Sequence, residues 1–141
     1  MADEKSLETL FHLVHSLKRN LHEQIEQLDL DIAPMHVRVL KIVTHQPNCT
    51  AVDIAGFLSR DKAQVTRLLN TLIEKQLIEK RPNPQDKRSQ CLKITESGQA
   101  IVSQIASVDT KLHDKMTADL SAKQLELFEQ IAGQMVRNLN D

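Results

Sequence analysis

The feature that most constrains the fold of this sequence is a change in the spacing of its apolar residues at residue 77. Before residue 77, apolar residues recur every three or four positions, as they do on one face of an α-helix. From residue 77 to residue 94 the pattern is that of two short β-strands separated by a polar turn. Helical spacing then returns. The predicted order is therefore several helices, one hairpin, and further helices.

Four helices are predicted before the hairpin, the first over about residues 6–29. The second begins at Pro34, whose missing N–H would be unpaired in a first helical turn anyway. Thr50 is the expected N-cap of a short third helix, and Lys62 begins a fourth that continues to about Gln76. The expected apolar positions of the third helix are Val52, Ile54, Ala55 and Leu58, and the cap of the fourth is Ser59 or Asp61.

The hairpin is predicted from two short strands, 77–81 and 90–94. The segment between them has no apolar residue, and its prolines, Asn and Asp are typical of turns. Thr95 is expected to cap a fifth helix. A sixth helix should open at Ser121, because Gln124 follows at the spacing of a capping box.

Positive charge is concentrated in the middle of the chain. Residues 60–93 carry nine Lys or Arg and four Asp or Glu, a net charge of +5, whereas residues 1–40 and 94–141 each sum to −3. A basic block between acidic flanks favours contact with the phosphates of a nucleic acid, although the same block could be a chance cluster on a solvated face.

Composition narrows the class of protein further. The chain has three Phe and neither Tyr nor Trp, so its core must be aliphatic and it lacks the flat side chains that stack on single-stranded bases. No run of apolar residues approaches the ~20 that span a membrane. The polar start of the chain is unlike a signal peptide, so the expected compartment is the cytoplasm.

The third and fourth predicted helices, with the tight turn between them and the hairpin after them, have the layout of a winged helix-turn-helix. The second helix of such a pair lies in the major groove of DNA. Its outward face here can read base edges, because Arg pairs with guanine, Asn and Gln pair with adenine, and Ala admits a thymine methyl. The predicted recognition residues are Lys62, Ala63, Gln64, Thr66, Arg67, Asn70 and Thr71.

Over nearly its whole length the chain resembles the MarR/SlyA family of bacterial regulators. Three passages carry the resemblance: Asp61–Leu69 in the predicted recognition helix, Asp86–Ser89 at the tip of the hairpin, and Leu92–Gly98 at the junction of strand and helix. Each is moderately specific alone, and the three in this order are strongly specific. Gln76 departs from the pattern, since family members often have Gly at that position.

The resemblance implies roles for the hairpin, or wing. Arg88 would enter the minor groove and Asp86 would hold its guanidinium, with Lys87 and Ser89 also at the DNA. Without the family pattern, Asp86 and Arg88 would be read as a surface ion pair.

The resemblance also implies a mainly α-helical homodimer with a small β-hairpin wing, binding an inverted repeat. The expected single domain, 1–141, has a dimerisation layer (1–32 and 96–141) and a DNA-binding lobe (33–95). Apolar stripes in the terminal helices agree with pairing, although they could also cap a monomer. A small phenolic or carboxylate effector would release the DNA, with a pocket expected at Phe11, His12, His15 and Arg38.

Other classes fit less well. A winged-helix module that binds only proteins is the main alternative, and the basic block disfavours it. No nucleophile elbow or phosphate-binding glycine loop is present, so an enzyme is not expected. His12, His15 and His22 lack the rest of a metal motif, and no cofactor or metal is predicted. Cys49 and Cys91 are expected to be small apolar residues, the other option being a redox switch.

Overall fold

The structure is a computed structural model that describes residues 2–141, with side chains from Glu4 onward. It divides into two compact units, Met1–Val108 and Asp109–Asp141. The predicted class, mainly α-helical with one hairpin, is confirmed. The elements are α1 (Ala2–Gln27), α2 (Pro34–His45), α3 (Ala51–Leu58), α4 (Lys62–Glu74), β1 (Ile78–Pro82), β2 (Gln90–Ile94), α5 (Glu96–Met116) and α6 (Ala122–Leu139).

The helix starts follow the capping residues of the sequence. Pro34 occupies the first turn of α2 as predicted. At α3 the Asp53 amide donates to the Thr50 hydroxyl (3.2 Å), and the Thr50 amide donates to the Asp53 carboxylate (2.9 Å). These two bonds form a complete capping box, which satisfies two amides that the first turn would otherwise leave unpaired.

The helices differ from the prediction at some ends, and one apolar position is not buried. Helix α1 spans Ala2–Gln27 instead of about 6–29. Val52, one of the apolar positions expected in α3, is 68% exposed. It lies in the first turn of an eight-residue helix, where Ile54 and Leu58 alone are buried. The fourth helix stops at Glu74, two residues before its predicted end, because Gln76 has a left-handed backbone (φ 61°) that a helix cannot continue through.

The core of the unit Met1–Val108 is aliphatic, as the composition predicts. Helix α4 packs against α2 and α3, and β2 packs against α2. The largest completely buried side chains are Leu40, Ile54, Leu72, Ile78, Ile105, Val39 and Val65. This core fixes which face of α4 is left for a ligand.

The hairpin is antiparallel, with Ile78 opposite Ile94 and Pro82 opposite Gln90. Its base is tied to the next helix through Thr95, whose hydroxyl donates to the Gln76 carbonyl (2.7 Å) and accepts from the Gly98 amide (3.0 Å). The predicted cap at Thr95 is therefore confirmed, and it also joins the end of α4 to the start of α5.

In the unit Asp109–Asp141, the predicted capping box opens α6. The Gln124 amide donates to the Ser121 hydroxyl (3.1 Å), and the Ser121 amide donates to the Gln124 side chain (2.9 Å). Helix α6 contains no buried residue. Within residues 2–141, no helix combines the length and apolar character needed to cross a membrane.

Candidate nucleic-acid interface

A three-residue turn, 59–61, sets the direction in which α4 leaves α3. Ser59 has a left-handed backbone (φ 52°) that ends α3, and the Arg60 amide bonds back to the Ala55 carbonyl (3.2 Å). Of the two predicted caps for α4, the structure uses Asp61, whose carboxylate accepts from the Gln64 amide (2.8 Å). This is the tight connection that a helix-turn-helix requires.

One face of α4 is committed to the core. Val65, Leu69 and Leu72 are buried, and Leu68 and Ile73 pack against the same cluster. These five residues make up the inward stripe that helical spacing predicts. The opposite face of the helix therefore has a fixed orientation.

The predicted recognition residues lie on this opposite face and its edges. Lys62, Ala63, Thr66, Arg67 and Asn70 are exposed, while Gln64 and Thr71 are half-buried. The Thr66 hydroxyl donates to the Lys62 carbonyl (2.8 Å), and the Thr71 hydroxyl donates to the Arg67 carbonyl (3.1 Å). The two threonine hydroxyls can therefore still accept hydrogen bonds from outside the helix. The guanidinium of Arg67 and the side-chain amide of Asn70 are exposed beside them.

At the wing tip, Asp86 and Arg88 are in contact. One carboxylate oxygen of Asp86 accepts from the Arg88 backbone amide (3.0 Å) and from its Nε (3.4 Å). The Arg88 side chain is 93% exposed, so Asp86 contacts the guanidinium only through Nε and the rest of the group extends into solvent. Lys87 is exposed beside it, and Ser89 is half-buried.

Some charges of the basic block are balanced within the protein. Both Nε and Nη2 of Arg81 donate to Glu79 (3.0 and 2.6 Å), and Lys75 pairs with Asp31 at 2.9 Å. The Lys75 ammonium lowers the pKa of the Asp31 carboxyl below its usual value. The net charge of residues 60–93 therefore overstates the number of cations free to meet phosphate.

Sequence reasoning did not single out Asn83, which is 8% exposed. Its side chain donates to the Ser89 hydroxyl (3.0 Å) and accepts from the Gln85 amide (3.0 Å), inside the wing. The signal available in the sequence was an Asn between two prolines, which is typical of a turn but says nothing of burial.

The four predicted effector residues lie on two helices. Phe11, His12 and His15 are exposed on α1, and Arg38 is exposed on α2. Two concave sites of the protein are lined by residues other than these four. A cavity of about 210 Å³ lies between residues 22 and 34, and one of about 490 Å³ lies against the hairpin and the end of α2.

The cysteines are buried and unpaired. Burial, followed by the charge of Asp53, raises the pKa of the Cys49 thiol, which disfavours the reactive thiolate. Among the side chains from Glu4 to Asp141, no three His, Cys, Asp or Glu residues are grouped so as to hold a metal ion.

A helix pair with a tight turn, an exposed second helix and a following antiparallel hairpin define a winged helix-turn-helix protein. Comparisons with known proteins identify the family. Residues 32–90 match the model of the MarR family. The multiple antibiotic resistance protein MarR of Escherichia coli K12 is 34% identical over 122 residues, which cover 85% of this chain and 83% of that protein.

Two solved structures have the same fold. A cysteine-to-serine variant of E. coli MarR, complexed with operator DNA, superposes with a TM-score of 0.72 at 32% identity, over 92% of this chain and 93% of that one. The MepR–DNA complex of S. aureus superposes with a TM-score of 0.74 at 26% identity, over 92% and 94%. This chain belongs to the MarR family of transcriptional regulators.

Proposed function

We propose that this regulator is a repressor that binds an inverted repeat in double-stranded DNA as a homodimer. The observation that carries the proposal is the exposed face of α4, where Ala63, Arg67 and Asn70 point away from a helix stripe committed to the core. Arg67 can donate two hydrogen bonds to guanine, and Asn70 can pair with adenine through its side-chain amide. Ala63 is small enough to lie beside a thymine methyl.

The wing supplies a second contact with DNA, which depends little on the base sequence. Arg88 extends from a loop whose carboxylate, Asp86, directs it, and an extended arginine suits the negative potential of a narrow minor groove. Among the related structures, those of E. coli MarR and S. aureus MepR with DNA support DNA binding by this protein. We propose the cytoplasm as the compartment in which this protein acts.

We assign the lobe 33–95 to DNA and the segments 1–32 and 96–141 to pairing of two copies. A two-fold dimer places its recognition helices about one DNA turn, ~10 bp, apart. Exposed apolar side chains on α6 support the pairing, among them Phe128, Ile131 and Met135. A small-molecule effector near Phe11, His12, His15 and Arg38 would release DNA by binding one arrangement of the dimer more tightly than the other.

The test is binding of the purified protein to DNA from upstream of its own gene, measured by fluorescence anisotropy at salt concentrations from about 0.05 to 0.2 M. Phosphate contact predicts a steep loss of affinity as salt rises. Arg88→Ala should weaken binding about tenfold on many duplexes and flatten the salt slope by about one.

Arg67→Ala should cost about 1–3 kcal/mol on the preferred site and also reduce discrimination between duplexes. Gln46→Ala, at an exposed position just after α2 that belongs neither to the proposed DNA contacts nor to the pairing segments, is the control and should bind as the wild type does. A folded protein that ignores duplexes even at low salt would contradict the proposal and favour a protein-interaction module.

A further inference from the structure

The wing tip is a closed ring of hydrogen bonds. We use wing-tip loop for residues 83–89, which connect β1 to β2. The Asn83 amide donates to the Ser89 carbonyl (3.3 Å), the Asp86 amide donates to the Asn83 carbonyl (3.3 Å), and the Ser89 amide donates to the Asp86 carbonyl (3.1 Å). Three backbone bonds therefore join the start, the middle and the end of the loop.

The side chain of Asn83 reinforces this ring from the inside. Its Nδ2 donates to Ser89 Oγ (3.0 Å), and Ser89 Oγ donates in turn to the Asp86 carbonyl (3.3 Å). Its Oδ1 accepts from the Gln85 amide (3.0 Å). Among residues 4–141, Asn83 is the only polar residue that is almost entirely buried. A buried amide is tolerated because both of its ends are bonded, and such networks hold a single conformation.

The ring continues to the residue proposed to enter the minor groove. The Asp86 carboxylate accepts from the amide and the Nε of Arg88, and these two bonds fix the direction in which the side chain leaves the loop. With 93% of that side chain exposed, little besides Asp86 restrains it. The conformation of the loop at Asp86 therefore sets the starting point of the Arg88 guanidinium.

We infer that Asn83 is a positioning residue for DNA recognition, which holds the wing-tip loop in the shape that aims Arg88 through Asp86. The inference rests on the proposed function. Its physical basis is that ordering a flexible loop at the moment of binding costs conformational entropy, which a loop ordered in advance has already lost. Asn83 lies outside the surface that touches DNA and acts only through the bonds of the loop.

The test is a double-mutant cycle on duplex binding with Asn83→Ala, Arg88→Ala and the double variant. We expect Asn83→Ala to weaken binding about fivefold to tenfold. The double variant should bind no more weakly than Arg88→Ala alone, because a loop without its arginine has nothing left to aim. Gln85→Ala is the matched control in the same loop, since the bond to Asn83 comes from its backbone, and it should bind as the wild type does.

A second measurement in the free protein covers the case in which Asn83→Ala disturbs folding. Amide relaxation by NMR should show increased motion at residues 85–89 in Asn83→Ala, with the helices unchanged. Ser89→Ala, which removes the hydroxyl partner, should loosen the same residues.

Three outcomes overturn the inference. One is wild-type affinity in Asn83→Ala while Arg88→Ala loses affinity, which would leave the proposed DNA binding intact. Another is a cycle in which the two losses multiply, as they would for a residue that only stabilises the fold. The third is a wing-tip loop as rigid in Asn83→Ala as in the wild type. A wild-type protein that binds no duplex would instead contradict both proposals.

Discussion

Gln76 is an unusual residue at the position where α4 ends. Six non-glycine residues in the described chain have a positive φ, and four of them, Asp29, Asp31, Asn48 and Asp119, are Asp or Asn, whose short polar side chains tolerate that region. Gln76 has a longer side chain and no such advantage. Its conformation is imposed by a Schellman motif, in which the Leu77 amide bonds to the Leu72 carbonyl and the Gln76 amide to the Ile73 carbonyl (both 2.9 Å).

Gln76→Gly should therefore increase the free energy of unfolding by about 0.5–1 kcal/mol, since relief of left-handed strain exceeds the greater chain entropy of glycine. Urea denaturation followed by circular dichroism measures the change. Gln85→Gly, at a loop position with a negative φ, is the control and should give no increase. A loss of stability in Gln76→Gly would show that the side chain contributes more than its backbone strain costs.

His36 makes the start of α2 sensitive to pH. Its Nδ1 accepts a hydrogen bond from the Ala33 amide (3.0 Å), which only an unprotonated nitrogen can do. Burial, with a smaller effect of the Lys75 charge, lowers the pKa of His36 below 6.5. Lys75 is in turn paired with Asp31.

Because the folded-state pKa of His36 is lowered, its contribution to stability is present above pH 6.5 and is lost as the pH falls through the folded-state value. His36→Gln keeps an acceptor at the same capping position without a titration. Between about pH 7.5 and about pH 5.5, the wild type should lose up to about 1 kcal/mol more than His36→Gln in urea denaturation. Parallel pH profiles for the two proteins would exclude this role.

At the scale of elements, the junction between the hairpin and α5 depends on one glycine. A Cβ atom on Gly98 would overlap the Leu77 carbonyl oxygen and lie 2.8 Å from Ile94 Cγ1. The Thr95 amide bonds to the same Leu77 carbonyl (3.1 Å), so this backbone oxygen cannot move away without breaking the junction.

Gly98→Ala is accordingly expected to lower the free energy of unfolding by about 1–3 kcal/mol, by overpacking. Gly56→Ala is the matched control, because a Cβ there would meet nothing within 4 Å and Gly56 lies inside α3. It should stabilise the protein by about 0.5–1 kcal/mol. Equal effects of the two substitutions in thermal or urea denaturation would rule out the steric explanation.

These elements also show how far the sequence alone could lead. The N-cap at Thr50 and the capping box at Ser121 involve residues three positions apart, so local spacing was enough to suggest both. The Lys75–Asp31 pair and the contact of Gly98 with Leu77 join residues that are far apart in the sequence, and no local pattern encodes them. Spacing also does not predict the exposure of Val52, because the core does not reach every apolar residue at the start of a helix.

The candidate interface was predictable to the same extent. Helical spacing separates the inward stripe of α4 from Arg67 and its neighbours, and the structure places them on opposite sides as expected. The pairing of Arg81 with Glu79 and the burial of Asn83 depend on side-chain geometry in the hairpin, which strand patterns do not specify. The sequence therefore indicates which face of α4 is exposed, while the structure shows which charges of residues 60–93 are already paired within the protein.

At the scale of the whole molecule, the distribution of apolar surface bears on assembly. On α6, Phe128, Ile131 and Met135 are each about half exposed, and their spacing of three and four residues places them on one stripe. Large exposed apolar stripes are unusual on monomeric proteins and mark contacts with other chains. Because an inverted-repeat site needs two lobes at a fixed separation, the proposed DNA binding depends on what covers this stripe.

In the proposed homodimer, Ile131→Glu should therefore shift the protein from dimer to monomer. Burying a carboxylate in an apolar interface costs several kcal/mol, which corresponds to association weakened at least about a hundredfold. Sedimentation velocity over a range of protein concentrations measures the shift, and affinity for a duplex with two half-sites should fall with it. Gln130→Glu adds the same charge about 100° around α6 from Ile131, off the apolar stripe, and should remain dimeric. A wild type that sediments as a monomer would contradict the proposed homodimer. An Ile131→Glu variant that stays dimeric would show that another part of the chain pairs the two copies.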